Sequence, residues 1–325
     1  MGPNGSIRAL RQRCVSGQTV NRTRPTKAPF DEVPAPAGPL RHAWRVVAGG
    51  LCFGVFGIGT LLVSAWLLLV IRPMPGVSPA RKSVWVRAWI RRLARFFIDL
   101  MQLLGLMVYR VENTERLARP GLLVVSNHPS LIDALFVLGH APDICCIVKR
   151  ELLGNPFIAW LVRSAGYLTN DSAALVDEAA AVLRGGRSLL VFPEGTRNTS
   201  DLALNFKRGA AHIAIASGVP VLPVTIDFTP RALGKGERWY IVPRRPSRIQ
   251  VIVHDAFDPV GLAGADLPAD APVTRLARRT TQVLRDHFVE RTLRFADPTA
   301  PGDGQRPDER AARSRPTTAS TGAGA

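Results

Sequence analysis

The chain has 325 residues and a hydrophobic content of 46%, so it is long enough to bury a sizeable core. It carries 42 Lys and Arg against 25 Asp and Glu, a formal net charge of +17 with a pI near 11.1. This charge predicts attraction to a polyanion, either nucleic acid or an anionic membrane face. An RNA-binding aromatic motif is absent and only three Tyr are present, which favours the membrane. The four cysteines form no CxxC pair, so neither a disulfide framework nor a zinc site is expected.

Two terminal stretches lack apolar periodicity. Residues 1–44 contain many arginines with proline and glycine between them, and residues 296–325 consist largely of proline, glycine, threonine, alanine and arginine. A segment that cannot bury apolar surface does not offset the entropy cost of ordering its backbone. Both stretches are therefore predicted to be disordered tails.

An uncharged apolar run covers residues 46–71. About 26 residues at roughly 1.5 Å each suffice to cross a hydrocarbon core, so 45–72 is predicted to be a transmembrane or re-entrant membrane segment. Arg45 precedes the run and Arg72 follows it, and the positive-inside rule therefore does not decide its orientation. Its glycines also permit a bent hairpin, so a single span and a hairpin both stay open.

Residues 73–110 are predicted to form a basic amphipathic helix region. Between Arg81 and Tyr109, apolar side chains recur at steps of three and four residues, and arginines fall largely off that stripe. The stripe contains Trp85, Trp89, Leu93, Phe96, Leu100, Leu103 or Leu104, and Met107. Such a helix suits the headgroup layer of a membrane. An ordinary helix packed on the domain core is the alternative.

Strands and helices alternate through residues 111–295, which are predicted to form one domain. Apolar strands are expected at 122–126, 143–148, 167–168, 188–192, 219–227 and 249–253. Helices are expected at 130–138, 156–164, from 171 or 172 to about 184, at 207–217 and at 273–294. This alternation predicts an α/β fold whose largely parallel central sheet is flanked by helices.

The first polar motif runs from Asn127 to Asp133 and follows an apolar strand. A spacing of five residues would put His128 and Asp133 about 140° apart on an ideal helix, so they meet only if His128 precedes the helix. Pro129 supports that placement, because proline is favoured at the first helical position. A carboxylate bonded to one imidazole nitrogen leaves the other free as a base. The alternative is an ordinary helix start with a solvent-facing Asp133.

A protein nucleophile is not evident near this histidine. The chain has no GxSxG motif, and Ser130 lacks the strained glycine turn of a nucleophile elbow. A base without a nucleophile predicts direct activation of a substrate hydroxyl or of water. Asn127 is expected to bond nearby backbone and hold the loop.

The second polar motif, Phe192 to Arg197, follows another buried strand. Glu194 and Arg197 project from a turn that contains Gly195, and Lys207 follows ten residues later. Arginine matches a phosphate with two parallel hydrogen bonds, and free N–H groups of a turn also bind anions. The alternative is a polar turn with an internal Glu–Arg pair.

Together, Asn127–Asp133 and Phe192–Arg197 resemble the glycerolipid acyltransferase family of 1-acylglycerol-3-phosphate acyltransferases. The similarity covers roughly residues 75–260 and includes Asn205–Gly209 and the apolar strand Val221–Val224. The resemblance implies that His128 and Asp133 form the catalytic pair. It implies that the acceptor's phosphate is held by the second motif. The predicted substrate-binding residues are Asn127, Glu194, Gly195, Thr196, Arg197 and Lys207.

One block of the family pattern is different here. The stretch Gly166–Asp171 lacks the arginine that usually ends this block and helps to hold the acceptor phosphate; Arg163 lies just upstream as a substitute. The departure leaves a lysophosphatidic acid-like lysophospholipid, an amino-acid lipid and an aryl-polyene-type lipid open as acceptors.

The prediction is therefore a membrane-bound O-acyltransferase that acts without a covalent intermediate. Acyl-CoA or acyl-carrier protein would be a co-substrate, and neither a resident cofactor nor a metal is expected. The expected partners are a lipid acceptor and the membrane surface, not nucleic acid. A cytosolic donor places the domain on the cytoplasmic face of the inner membrane. A thioesterase or other hydrolase is the main alternative, and a catalytically silent membrane-binding protein is a second.

Overall fold

The structure is a computed structural model that describes residues 38–197, 204–234, 236–238, 240–265, 267–268 and 270–293. Most of the predicted N-terminal tail and the whole of the predicted C-terminal tail lie outside the described residues. The first described helix begins at Pro39, so residues 39–44, which were predicted to be disordered, are helical.

A seven-stranded sheet forms the centre of the domain, in the order β1-β7-β6-β2-β5-β3-β4. The strands are β1 (Met107–Glu112), β2 (Leu123–Ser126), β3 (Ile144–Val148), β4 (Leu168–Thr169), β5 (Ser188–Val191), β6 (Val221–Thr229) and β7 (Ser247–Val253). Every neighbouring pair is parallel except β6 and β7, which are antiparallel. The predicted α/β fold with a largely parallel sheet is confirmed.

Helices cover both faces of this sheet. They are α1 (Pro39–Trp66), α2 (Pro79–Leu103), α3 (Asp133–His140), α4 (Pro156–Ala165), α5 (Leu175–Arg184), α6 (Gly209–Ser217), α7 (Pro259–Gly264) and α8 (Val273–Leu293), with a π-helical turn at Leu67–Ile71 and 3₁₀ turns at Thr114–Ala118 and Arg150–Gly154. One core joins α1, α2 and α3 to the sheet, and a second joins α5, α6 and α8 to its other face. Because β2 and β5 are covered on both sides, their sequences are continuously apolar.

The parallel strands create the edge on which a site can be built. The strands β2, β5, β3 and β4 run in the same direction, so their carboxyl ends lie along one edge of the sheet. Open parallel sheets bind ligands beyond the carboxyl ends of their strands. The first polar motif follows β2 and the second follows β5, and the two strands are neighbours. The topology therefore brings the two motifs together.

The first strand was missed by the sequence analysis. Helix α2 ends at Leu103, and Met107–Glu112 forms β1, whereas the helix was predicted to reach Tyr109. Gly105 adopts a positive φ of 73° between the two elements, which ends the helix. The partner of β1 is β7, about 140 residues later, and local periodicity carries no signal for such a pairing. The sheet domain thus begins at 107 and not at 111.

Helix α2 also buries a face that differs from the predicted stripe. Its most buried apolar side chains are Val86, Ala94, Phe97, Ile98 and Met101. Arg87 is buried as well, because it forms an ion pair with Asp143 and donates to the Ala165 carbonyl at 2.7 Å. The helix is therefore a packed part of the domain and not solely an interfacial helix.

The apolar segment 45–72 forms one continuous helical element. Residues Pro39–Ile71 are long and apolar enough to cross a membrane, and the chain does not turn back within them. The element packs antiparallel on α2. At its middle, the Phe56 ring contacts Phe97 with centroids 4.5 Å apart, and nearer its end the Trp66 ring contacts Trp89 at 5.0 Å. The hairpin that was left open as the alternative to a single span does not form within this segment.

A single buried arginine ties the start of α1 to the connection between β6 and β7. Arg45 is 3% exposed. It donates to the carbonyl oxygens of Pro243 at 2.8 Å, Arg245 at 2.9 Å and Leu106 at 3.3 Å. Hydrogen bonds from a charged donor contribute more than neutral ones, and removing the donor leaves carbonyl groups without partners. Arg45 therefore fixes α1 against the domain.

We expect Arg45→Ala to destabilise the domain by about 2 to 4 kcal/mol, since it leaves these carbonyl groups without a charged donor. The melting temperature of the detergent-solubilised protein checks this prediction. The matched control is Arg41→Ala, one turn earlier on the same helix, where the side chain is exposed. Equal melting temperatures for the two variants would contradict the assignment.

Candidate active site

The first motif forms a loop between β2 and α3. Strand β2 ends at Ser126 and α3 begins at Asp133, so the helix starts three residues later than predicted. Pro129 accordingly lies in the loop and not at the first helical position. The N–H and hydroxyl of Ser130 both bond the Asp133 carboxylate, which takes the backbone out of a helical path.

Asn127 holds the start of this loop. Its side chain donates to the Ile226 carbonyl at 2.8 Å and accepts from the Ile226 N–H at 2.8 Å. The amide thus behaves like one more peptide group between β2 and β6, beyond the last paired residue of β2. The side chain is buried and both of these bonds go to backbone, which confirms the expectation that it holds the loop. Its predicted role in binding substrate stays a prediction.

His128 and Asp133 meet in the way that the spacing required. His128 lies before the helix, Asp133 is the first helical residue, and Nδ1 of the imidazole is 2.9 Å from Oδ2 of the carboxylate. The histidine side chain is 20% exposed and the aspartate side chain is fully buried. Within the described part of the chain, Nε2 makes no hydrogen bond. The geometry leaves that nitrogen open toward solvent.

Burial sets the electrostatics of Asp133. Its carboxylate accepts from His128 and twice from Ser130. Burial raises the pKa of Asp133, and these hydrogen bonds oppose the rise. The position at the start of α3 also favours a negative charge, because the N-terminus of a helix carries partial positive charge. Ser130 is therefore a partner of Asp133, a role that its sequence position did not indicate.

The second motif is a tight turn whose residues contact the histidine. The Gly195 N–H donates to the Phe192 carbonyl at 3.0 Å, which closes a turn with Pro193 at its second position. Glu194 is 6% exposed and accepts from the His128 N–H at 3.1 Å. The Phe192 ring stacks on the imidazole with centroids 4.3 Å apart. The turn thus positions His128 from the β5 side.

Two cations accompany this turn in different ways. Arg197 donates through Nη1 to the Leu233 carbonyl at 3.0 Å and the Gly234 carbonyl at 2.9 Å, so part of its guanidinium fixes backbone. The exposed side chain of Lys207 extends over Gly195. The backbone N–H of Lys207 donates to the Pro193 carbonyl at 2.7 Å. Thr196 is half-buried beside them. The internal Glu194–Arg197 pair, which was the alternative interpretation of this motif, does not form, because each residue bonds a different segment.

A third segment completes the site and was missed by the sequence analysis. Leu233, in the connection from β6 to β7, has a φ of 60°, which is unusual for a leucine. Its carbonyl accepts from the Leu131 N–H at 3.2 Å and from Arg197. Backbone strain of this kind persists where surrounding contacts hold it. In the sequence, the connection is marked as a loop by its prolines and glycines, among them Pro230 and Gly234, which do not indicate a contact with the polar motifs.

The block that differs from the family pattern, Gly166–Asp171, also lies at the carboxyl edge of the sheet. Asp171 follows β4 and forms an ion pair with Arg150, which follows β3, and the Arg150 N–H donates to the Asn170 side chain at 3.0 Å. Arg163 is exposed on α4, before β4 begins. The arginine that contacts the end of this block is therefore Arg150 and not Arg163.

The assembled residues define a chemical capability. A histidine oriented by a buried carboxylate can remove a proton from a hydroxyl or from water. The turn at Phe192–Arg197, which contacts this histidine, carries Arg197 and lies against Lys207, and such cations suit an anionic substrate group. Groups of three or more possible metal ligands do not occur among the residues that the structure describes. Cys52, Cys145 and Cys146 are buried free thiols, away from these motifs.

Part of the chain is similar to known acyltransferases. The family model described as "Acyltransferase" matches residues 108–227. The 1-acyl-sn-glycerol-3-phosphate acyltransferase alpha of Mus musculus is 38% identical over 164 residues, which cover 47% of this chain and 55% of that protein. The beta enzyme of Homo sapiens is 29% identical over 214 residues, 62% of this chain and 71% of that protein.

A solved structure has the same fold. The 1-acyl-sn-glycerophosphate acyltransferase PlsC of Thermotoga maritima superimposes with a TM-score of 0.62 at 22% identity, over 80% of this chain and 100% of that one. These similarities support the resemblance to the glycerolipid acyltransferase family that the motifs predicted. The chain spans about half the length of the mouse relative, at 55%.

We expect Gly195→Ala to destabilise the turn. Gly195 has a φ of 66°, where an alanine costs about 1 to 2 kcal/mol, and a Cβ there would be 2.9 Å from Lys207 Nζ. The melting temperature should fall by several degrees. Gly209→Ala is the control, since a Cβ at that position meets nothing within 4 Å. If Gly195→Ala is as stable as Gly209→Ala, the turn accommodates the added Cβ and the prediction is wrong.

Proposed function

We propose that the protein is a membrane-associated O-acyltransferase that transfers an acyl group from a thioester to the hydroxyl of a lysophospholipid. The observation that carries this proposal is the His128–Asp133 pair at 2.9 Å, with Nε2 open beside the turn at Glu194–Arg197. Relatives named as 1-acylglycerol-3-phosphate acyltransferases support the reaction class.

Proton transfer follows from the geometry of the pair. His128 Nε2 removes the proton from the acceptor hydroxyl, and Asp133 stabilises the imidazolium through Nδ1. The acceptor oxygen then attacks the thioester carbonyl and forms a tetrahedral intermediate. Collapse of the intermediate breaks the C–S bond, and the departing thiolate takes the proton from the imidazolium. This pathway needs no covalent acyl-enzyme, because the acceptor oxygen attacks the thioester directly. The nearby Ser130 hydroxyl bonds Asp133 and not the imidazole.

The acceptor's head group is assigned to the turn after β5. Arg197 uses Nη1 for backbone carbonyls and leaves Nη2 without a hydrogen bond in the described part of the chain. Lys207 brings an exposed ammonium to the same turn. Glu194 is engaged with the His128 backbone, so its role is to position the histidine. Acyl-CoA or acyl-carrier protein is the donor, and the step uses no resident cofactor.

The membrane contact is assigned to α1. The exposed surface of α1 and of the π-helical turn that follows it is lined by large apolar side chains: Leu40, Trp44, Val47, Leu51, Ile58, Leu61, Leu62, Trp66, Leu69 and Val70. Exposed apolar surface of this extent marks a partner or a membrane. Both ends of the element contact the same domain, Arg45 through the β6–β7 connection and Leu67 through the cluster with Val86 and Leu161. Insertion of this element from one face of the membrane therefore fits better than a span that would place its two ends on opposite faces.

The face in question is the cytoplasmic face of the inner membrane, because the thioester donors are cytosolic. Exposed arginines, among them Arg81, Arg92 and Arg95, lie on α2, the helix that packs against α1. Basic residues near a membrane contribute about 1 kcal/mol each in attraction to anionic lipids. The same charge favours an acidic carrier protein.

Removal of the base should abolish acyl transfer. We expect His128→Ala and Asp133→Asn to lower kcat/KM by about two to four orders of magnitude, since one removes the base and the other its orienting charge. Release of thiol from acyl-CoA and from acyl-carrier protein measures the rate. His212→Ala, on α6, is the matched control. Undiminished transfer by His128→Ala would rule out this mechanism.

The acceptor is identified by a panel in the same assay. Lysophosphatidic acid, lysophospholipids with esterified phosphates, an amino-acid lysolipid and an aryl-polyene-type lipid are each offered with both donors. An anionic-phosphate site predicts the fastest transfer to lysophosphatidic acid. Thioester loss without acylation of any lipid would favour a hydrolase instead.

A charge on the exposed face of α1 should weaken membrane binding. Leu62 is 65% exposed, and Leu62→Glu places a carboxylate where apolar contact with lipid is expected. We expect the fraction bound to anionic vesicles to fall by on the order of tenfold or more. Leu262→Glu is the matched control, because Leu262 is 58% exposed on α7. Equal binding of both variants would remove α1 as the membrane contact.

A further inference from the structure

An apolar pocket lies between α1, the end of α2 and the connection from β6 to β7. Its walls come mostly from apolar residues, among them Gly49, Phe53, Met101, Met107, Phe228 and Leu233. Two polar side chains in the described lining, those of Arg45 and Ser247, donate to backbone carbonyl groups. The pocket therefore suits a hydrocarbon chain and offers little to a charged head group.

The sheet places this pocket at the same edge as His128. Strand β6 runs parallel to β2, so Phe228, near the end of β6, lies toward the carboxyl edge. Strand β7 is antiparallel to β6, and β1 is parallel to β7, so β1 and β7 begin at that edge. Their first residues, Met107 and Ser247, both line the pocket.

Two backbone contacts join the pocket to the loop of His128. The Asn127 side chain bonds the backbone of Ile226, and Phe228 is two residues further along β6, a step of roughly 7 Å. Leu233, in the pocket wall, accepts through its carbonyl from the Leu131 N–H, three residues after His128. The pocket is therefore within reach of an acyl chain whose parent molecule has a hydroxyl at His128 Nε2.

The walls on the α1 and α2 sides are open and adaptable. Met101 and Met107 are two of the four methionines of the chain, and their unbranched side chains adjust to the shape of a bound group. Gly49 contributes no side chain to the wall, and a Cβ there would meet Val242 Cγ2 at 3.9 Å, an ordinary contact. Such walls suit a flexible alkyl chain better than a rigid ligand.

The order of the strands matches the order of groups in a lysophospholipid. His128 follows β2, which lies between β5 and β6. The turn assigned to the head group follows β5, and the apolar pocket lies beyond β6. In a 1-acyl lysophospholipid, the free hydroxyl of the glycerol also lies between the phosphate and the acyl ester. The acceptor can therefore place its phosphate, its hydroxyl and its acyl chain in this order along the edge.

We infer that the apolar pocket holds the acyl chain that the acceptor already carries. The inference rests on the proposed function, since it assigns the pocket to the same lipid acceptor. Helix α1 forms one wall of the pocket and carries the exposed apolar surface that was assigned to the membrane. A lipid of the membrane therefore meets the pocket at α1, whereas the thioester donor arrives from water.

The substitution Gly49→Leu tests the inference, because a leucine side chain there would fill part of the pocket. The rate constant kcat/KM is measured for a series of lysophosphatidic acids whose acyl chains differ only in length, with one donor. We expect the preference for long over short acceptors to fall by about tenfold or more, since single methylene groups in an apolar pocket can change selectivity by that much. Gly49→Ala adds one methyl group and should cause a smaller fall.

The matched control is Gly57→Leu. It makes the same change on the same helix at an exposed position, where a Cβ meets nothing within 4 Å. A change in the apolarity of α1 affects both variants, and only Gly49→Leu changes the pocket. We expect Gly57→Leu to keep the wild-type preference. A series of acyl-CoA donors of different chain length, offered with one acceptor, should give the same profile in the wild type and in Gly49→Leu.

Photochemical labelling gives a readout that needs no acyl transfer. A lysophosphatidic acid with a photoreactive group near the end of its acyl chain is added to the protein in lipid vesicles and irradiated. Mass spectrometry then locates the adducts. We expect adducts on pocket residues such as Phe53 and Met101, and a severalfold loss of these adducts in Gly49→Leu.

Three results would overturn the inference. A shifted donor profile with an unmoved acceptor preference would show that the pocket takes the donor's chain. Unmoved preferences in both series, in a Gly49→Leu variant with the wild-type melting temperature, would show that the pocket takes neither chain. Adducts confined to the exposed face of α1 would show that the chain stays outside. If the wild type transfers no acyl group, the proposed function fails, and the labelling still decides whether the pocket holds an alkyl chain.

Discussion

The site depends on one fully buried carboxylate. Asp133 accepts one hydrogen bond from the His128 ring and two from Ser130, and these bonds give the loop between β2 and α3 its shape. An isolated carboxylate would be costly to bury, so each of these donors offsets part of its desolvation. The same bonds that make the burial tolerable also orient the imidazole. Folding and catalytic geometry are therefore set by the same contacts at this position.

The remaining contacts extend this arrangement across three strands. Asn127 fixes the end of β2 to β6, and Glu194 fixes it to the turn after β5. The histidine therefore lies where three adjacent strands are joined by side-chain bonds to backbone. Such bonds are short-ranged and directional, so small displacements of one strand would be felt at the imidazole.

The sequence predicted the fold class, both polar motifs and the placement of His128 ahead of a helix, because these follow from local periodicity and spacing. It did not predict β1, whose pairing with β7 is distant in the chain. The partnership of Arg197 with the segment at Leu233 was hidden for the same reason. Arg87 was expected off the apolar stripe, and its burial follows from Asp143 on another element. Local pattern identifies elements, but contacts between distant elements decide which polar groups are buried.

The hydrogen bonds of Arg45 have a consequence for the proposed acyl transfer at a membrane. Two of them join α1 to the connection that also carries Leu233, which contacts the loop of His128. The distance of His128 Nε2 from the apolar surface of α1 is thus a fixed dimension of the fold. If α1 is the membrane contact, as proposed, a lipid hydroxyl would reach Nε2 only where its own distance from the acyl chain matches that dimension. Lipids would then be selected by height above the hydrocarbon, before any head group is recognised by charge.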